Sequence, residues 1–193
     1  MKGRARRAAT SRGSPSECAR RSAVAWASRQ RRPRGYSVAL VRRAVAAAFE
    51  VGGEAAPRRE LSIVFVDDDE LAGMHAVWLD DPSATDVITF DLGDDDSGPA
   101  GELYVSVERA AAVASARGLD PLRELMLYVV HGSLHLCGFD DHEPRERREM
   151  RAAERRAFTK LGALATASTK SGARAPRESG RRPARKPARA RAS

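Results

Sequence analysis

Apolar residues recur at helical spacing through Val38, Val41, Val45 and Phe49, which predicts a helix from a Ser37 cap to about Glu50, broken by Gly52, Gly53 and Pro57. Leu61 to Val66 is a β-branched run and predicts a strand. It ends in the acidic cluster Asp67 to Glu70, which suits the positive end of a helix continuing through Leu71, Met74 and Trp78 until Pro82 closes it. Two short strands follow, Val87 to Phe90 and Glu102 to Val105. The acidic loop between them, Asp94 to Pro99, cannot be buried and is expected to be mobile. An Ala-rich helix from Val107 to Arg117 stops at Gly118, and Asp120 with Pro121 supplies an N-cap and a first-turn proline for the next. That helix, to about Leu136, is apolar on nearly every face and is expected in the middle of the domain. A last helix, roughly Glu143 to Leu161, is laced with Arg/Glu pairs and ends at Gly162.

The two ends lack any such periodicity. Residues 1–35 and 165–193 are rich in Arg, Ala, Ser, Gly and Pro and read as disordered extensions, leaving 36–164 as the single domain. Charge sharpens this division. The 193 residues carry a formal net charge of +8, yet 1–35 hold 11 Lys/Arg against one acid and 165–193 hold 9 against one. The segment between them is therefore net acidic by ten, and the tails are either passive or a nonspecific attraction for phosphate. No repeat and no run of about 18 apolar residues is present, so no membrane span is expected. Two cysteines, Cys18 in the tail and Cys137, exclude a disulfide scaffold and fit a reducing compartment, read here as the cytoplasm. The opening lacks an apolar signal region. Its acid-poor, Arg/Ser-rich character fits an organellar transit peptide, against which stands the same bias at the far end.

Candidate chemistry is concentrated in HGSLHLCGFDDH, where His131, His135 and His142 fall within twelve residues. His131 and His135 are i and i+4 on the buried helix, so at about 100° per residue they project from one face, one turn apart. Two imidazoles on an otherwise apolar helix would be left unsatisfied unless something engages them, and a divalent metal does. Gly138 permits a reversal carrying a third ligand back, either Asp141 or His142. Imidazole with N or O ligands favours zinc, with nickel or another transition ion as alternatives. Three protein ligands on a normally four-coordinate ion make a catalytic arrangement, able to activate water or polarise a phosphoryl or carbonyl oxygen. Cys137 points away around the helix and reads as packing, and the isolated His75 reads as a helix-surface residue. The zinc-protease pattern H-E-x-x-H has Gly132 at its second position here, so its general base is missing and peptide hydrolysis is disfavoured.

HGSLHLCGFD at 131–140, ATDVITF at 84–90 and GELYVS at 101–106 resemble, in order, the hallmarks of the YbeY family of bacterial metal-dependent endoribonucleases. The resemblance covers about 36–164. It implies an α+β fold with a small mixed sheet packed by helices around the central histidine-bearing helix, and a zinc site at one end of that helix. It also implies a single-strand-specific endoribonuclease that matures the 3′ end of 16S rRNA, serves ribosome quality control, and has rRNA and the small ribosomal subunit as partners. Two departures matter. The family register for the third ligand holds Asp141, with His142 one residue later, while ligand softness favours His142. Trp78-Leu79 stands where many members carry an aromatic followed by Arg, so a bidentate phosphate-binding group is missing. Asp140 either orients a ligand histidine or accepts a proton. Asp86 either caps the strand or acts in catalysis. A metal-stabilised ribosome-assembly or RNA-binding module with little catalysis is the alternative reading, and a zinc peptidase the third.

Overall fold

The computed structural model describes residues 15–53, 57, 59–79, 85–93 and 98–171. Along them run α1 (Pro15–Arg21), β1 (Ala23–Trp26), α2 (Val38–Gly52), β2 (Leu61–Val66), α3 (Asp68–Leu79), β3 (Val87–Asp91), β4 (Gly101–Ser106), α4 (Val107–Arg117), α5 (Pro121–His135) and α6 (Pro144–Ser171). Local chemistry explains most of the boundaries. Ser37 accepts from the Leu40 amide at the start of α2, Ser106 from Arg109 at the start of α4, and Asp120 from Leu122 at the start of α5. Gly53 and Gly118 end α2 and α4.

The four strands form one mixed sheet in the order β1-β2-β4-β3. β1, β2 and β4 run parallel, and β3 returns antiparallel along the outer edge of β4, Val87 opposite Val105 and Asp91 opposite Gly101. Strand alternation splits the sheet into two faces. Leu61, Ile63, Phe65, Leu103 and Val105 enter the main core with Phe49 and Val45 of α2 and Leu125, Val129 and Leu134 of α5. On the other face Val66, Leu71 and Ile88 form a smaller cluster, against which Val64, Met74, Phe90 and Tyr104 pack. The expected α+β fold around a buried central helix is what the structure shows.

Two boundaries need correction. Residues 15–35 are not a disordered extension, because α1 and β1 belong to the domain. Cys18, Ala19 and Ser22 are buried, β1 pairs with β2 from Ala23↔Ser62 to Trp26↔Phe65, and the Ser22 hydroxyl accepts from the Leu61 amide at 3.0 Å. Trp26 then packs on Tyr36 and Phe65, with ring centroids 4.8 and 5.2 Å away. Arginines set among a seven-residue helix and a four-residue strand hid both elements, since neither is long enough to show a period. Cys18, read as a tail residue, is consequently a core residue whose thiol burial pushes up to about 11. At the other end α6 does not stop at Gly162 but runs on to Ser171, since one glycine costs a helix only about 1 kcal/mol. Residues 1–14 and 172–193, the Asp94 to Ser97 part of the acidic loop, and the proposed stop at Pro82 lie outside the described residues.

Candidate metal centre

The site begins with how closely α5 lies on the sheet. Gly132 makes this possible: a Cβ there would stand 2.9 Å from Leu103 Cδ2 and from Thr89 Oγ1. With Gly132 turned to the sheet, its neighbour His131 and, a turn later, His135 emerge half-buried on the adjoining flank. The same contact bears on peptidase chemistry, because the Glu that H-E-x-x-H needs at this position has no room for its first carbon.

Their rings meet nearly perpendicular at 87°, centroids 4.6 Å apart, and the two Nε2 atoms are separated by 3.0 Å. His131 Nδ1 lies 2.9 Å from Glu154 Oε1 on α6, and His135 Nδ1 lies 3.0 Å from the Phe139 carbonyl. Both of those partners are acceptors, so each ring places a proton on Nδ1 and presents an Nε2 lone pair. Two converging lone pairs repel unless a cation lies between them or one ring takes a second proton. The Phe139 carbonyl is delivered by the turn that ends α5. Gly138 adopts φ +84°, a conformation that favours glycine, while its amide bonds the His135 carbonyl and the Phe139 amide bonds that of Leu134.

Beyond that turn, Asp141 comes back over the pair. Its Oδ2 lies 3.8 Å from His131 Nε2 and its Oδ1 4.0 Å from His135 Nε2, and a donor atom from each of the three lies within 4.8 Å of the others. His142 is not in that group; its ring and the carboxylates of Asp140 and Asp141 form a second set whose ligand atoms lie within 4.8 Å of one another. The His142 side chain is 85% exposed and its Nε2 sits 3.5 Å from Asp140 Oδ1. Asp140 also accepts the Asp141 amide at 2.7 Å, so it steadies the backbone of Asp141, while Glu154 and the Phe139 carbonyl orient the histidines. The guanidinium of Arg147 closes the turn by donating to the carbonyls of Asp141, at 3.1 Å, and His142.

The charges fit this arrangement. Burial opposes protonation of His131, but the hydrogen bond and charge of Glu154, with Asp86 and Asp141, outweigh it and raise its pKa. His135 is lowered, first by burial and then by the charge of His131. The Asp140 carboxyl is lowered chiefly by the Asp141 amide, which makes it a weak proton acceptor near neutrality. Two imidazoles that turn their Nε2 atoms toward each other, one carboxylate facing them and a carboxylate behind the first ring form a donor set that suits a divalent ion of zinc type.

The remaining sequence candidates fall outside the cluster. Cys137 is buried packing, its thiol pushed up to about 12 by burial. His75 is half-buried on α3. Asp86 turns its carboxylate onto the Val87 amide at 3.0 Å, capping the strand. Trp78 is exposed, edge-on to Phe90 at 5.9 Å, and the Leu79 side chain lies outside the described residues. Glu154 was missed because it looks like one more member of the Arg/Glu helix. Its signal is its position, beside the apolar stripe Met150, Ala153, Ala157 and Leu161 and not on the exposed face.

Comparison with known proteins places this geometry in a family. The family model described as Endoribonuclease YbeY matches residues 31–162. A protein of that name from Beutenbergia cavernae is 44% identical over 103 residues, covering 49% of this chain and 69% of the relative. Another from Kineococcus radiotolerans is 38% identical over 118 residues, covering 56% and 67%. A solved structure from Thermotoga maritima, 20% identical, superposes with a TM-score of 0.50 over 83% of this chain and 99% of that one, a likeness of fold alone. Because the family match takes in everything from α2 through the histidine pair and into α6, the chain belongs to the YbeY endoribonuclease family.

Proposed function

We propose that this protein is a metal-dependent endoribonuclease of single-stranded RNA that matures the 3′ end of 16S rRNA and serves ribosome quality control in the cytoplasm. The observation that carries the metal dependence is the 3.0 Å approach of two Nε2 atoms whose rings have both committed their Nδ1 protons elsewhere. His131, His135 and Asp141 would hold one zinc ion, Asp141 being preferred over His142 because its carboxylate faces both rings. When bound, the ion supplies Lewis-acid chemistry toward a phosphodiester and its attacking water. The chain's own residues prepare the site. Glu154 and the Phe139 carbonyl keep both Nε2 lone pairs inward, Asp140 and Arg147 fix the backbone that carries Asp141, and Gly132 seats the helix.

The family match supports RNA as substrate, and the absence of room at position 132 speaks against a peptidase. The test uses an rRNA precursor incubated with zinc-loaded protein, with chelated protein, and with a His131→Ala, His135→Ala variant. Cleavage by the loaded protein alone is expected. Equal cleavage in all three would refute the reading, and binding without cleavage in all three would favour an RNA-binding assembly module.

A further inference from the structure

An acidic domain that handles RNA needs a local surface of opposite sign, and α6 provides one. Arg148, Arg151, Arg155 and Arg156 are all exposed on this helix. Among the described residues the nearby acids are engaged elsewhere: Glu146 accepts the Glu143 amide, Glu149 pairs with Arg145 at 2.8 Å, and Glu154 holds His131. None of the four arginines has an acidic partner among the described residues.

Their placement relative to the site follows from helix geometry. Glu154 marks the flank of α6 that faces the histidines. At about 100° per residue, Arg151, Arg155 and Arg148 stand roughly 60°, 100° and 120° around the helix from Glu154. They therefore form one stripe leading from that flank onto the outer face, spanning about 10 Å along the axis. Where the stripe meets Arg155 and Arg156 it borders a cavity of about 550 Å³, also lined by Phe139, Glu149, Ala152 and Thr159. Phe139 is the residue whose carbonyl orients His135, so the cavity adjoins the metal centre through the same turn.

We propose that this face of α6 is the track for the RNA backbone, with Arg148, Arg151, Arg155 and Arg156 contacting phosphates of the strand as it leaves the histidine site and the Phe139–Ala152 groove receiving it. The proposal rests on RNA being the substrate. Guanidinium groups free of acids suit phosphate, which they grip through paired N–H donors, and a stripe about 10 Å long accommodates two or three phosphates. A merely solvated helix face would intersperse its arginines with acids as partners, as Arg145 with Glu149 and Lys160 with Glu50 do here.

The test measures binding of a labelled oligo-uridine by the full chain in the His131→Ala, His135→Ala background, so that the result does not depend on cleavage. Adding Arg151→Ala and Arg155→Ala should reduce the slope of log affinity against log salt by about 0.7 per lost phosphate contact, hence about 1.4 for the pair. Arg151→Lys with Arg155→Lys should restore most of the slope, and Lys160→Ala, on the opposite flank, should leave it unchanged. With the histidines intact, the alanine pair should raise KM for RNA and leave kcat. An unchanged slope, or an equal loss with Lys160→Ala, overturns the track. Failure of the endonuclease reading would show separately, as metal-independent cleavage alongside intact salt effects.

Discussion

His131 Nδ1 and Glu154 Oε1 stand 2.9 Å apart, joining the central helix α5 to the last helix α6 at one of the two candidate ligand rings. Glu154→Gln keeps the size of the side chain but replaces its negative charge, and should lower metal affinity about tenfold to a hundredfold. Competition against a chromophoric chelator reads this directly. Wild-type affinity in the variant would mean the carboxylate has no part in holding the ring.

Asp141 and His142 are adjacent in sequence and differ in placement, so they should separate cleanly. Asp141→Ala is expected to lose metal affinity on the scale of a lost ligand, more than the Glu154 variant. His142→Ala, at a side chain 85% exposed, should stay within about twofold of the wild type by the same titration. The reverse ranking would assign His142 as the third ligand.

Gly132→Ala sets two effects against each other. Alanine favours a helix interior by about 1 kcal/mol over glycine. Here its Cβ would meet Leu103 Cδ2 at 2.9 Å, and Leu103 is fully buried, so overpacking of about 1 to 3 kcal/mol opposes the gain. Net destabilisation of about 1 kcal/mol is expected from urea unfolding, together with weaker metal binding as α5 lifts from the sheet. A stabilised variant would show that Leu103 repacks freely.

Asp67 links the amino-terminal segment to β2. Its carboxylate accepts from the Ser28 hydroxyl, and from the backbone and Nε of Arg29 at 3.2 and 2.7 Å. These bonds, that of Ser28 first, hold its pKa at about 2 against an ordinary 3.8. A depressed carboxylate pKa favours the fold at pH values above the unfolded pKa, and that contribution is lost as pH falls from 3.8 toward 2. Because Arg29 is 79% exposed, the screened contribution is about 1 kcal/mol. Asp67→Asn should cost about that much at pH 7 and progressively less as pH falls through about 2, read as a smaller stability difference between the two proteins across the acid limb. Parallel acid limbs would count against the coupling.

The long elements were legible in the sequence because their signals are local. The caps Ser37 and Asp120, the stops at Gly53 and Gly118, and the i, i+4 pair His131 and His135 follow from the rise and rotation of a helix, which hold wherever the helix lies. The turn glycine at 138 belongs to the same class. By contrast, α1 and β1 were invisible, since each is stabilised by a partner distant in sequence: Ser22 by Leu61, Trp26 by Phe65, and Ser28 by Asp67. No period develops in seven residues of helix or four of strand, and arginine is as compatible with a folded edge as with a tail.

For the candidate metal centre, spacing determined the pair of imidazoles and narrowed the candidate third ligand to two adjacent residues. What faces them was decided only by the path of the chain after Gly138 and by the packing of α6 on α5. Alternation of neighbouring side chains turned Asp141 toward the rings and His142 away, and the tertiary contact made Glu154, outwardly one of several acids on a charged helix, the partner of His131. Sequence spacing fixes rotation about one helix axis, whereas the meeting of groups from two helices depends on how their buried stripes dock, which no local pattern contains.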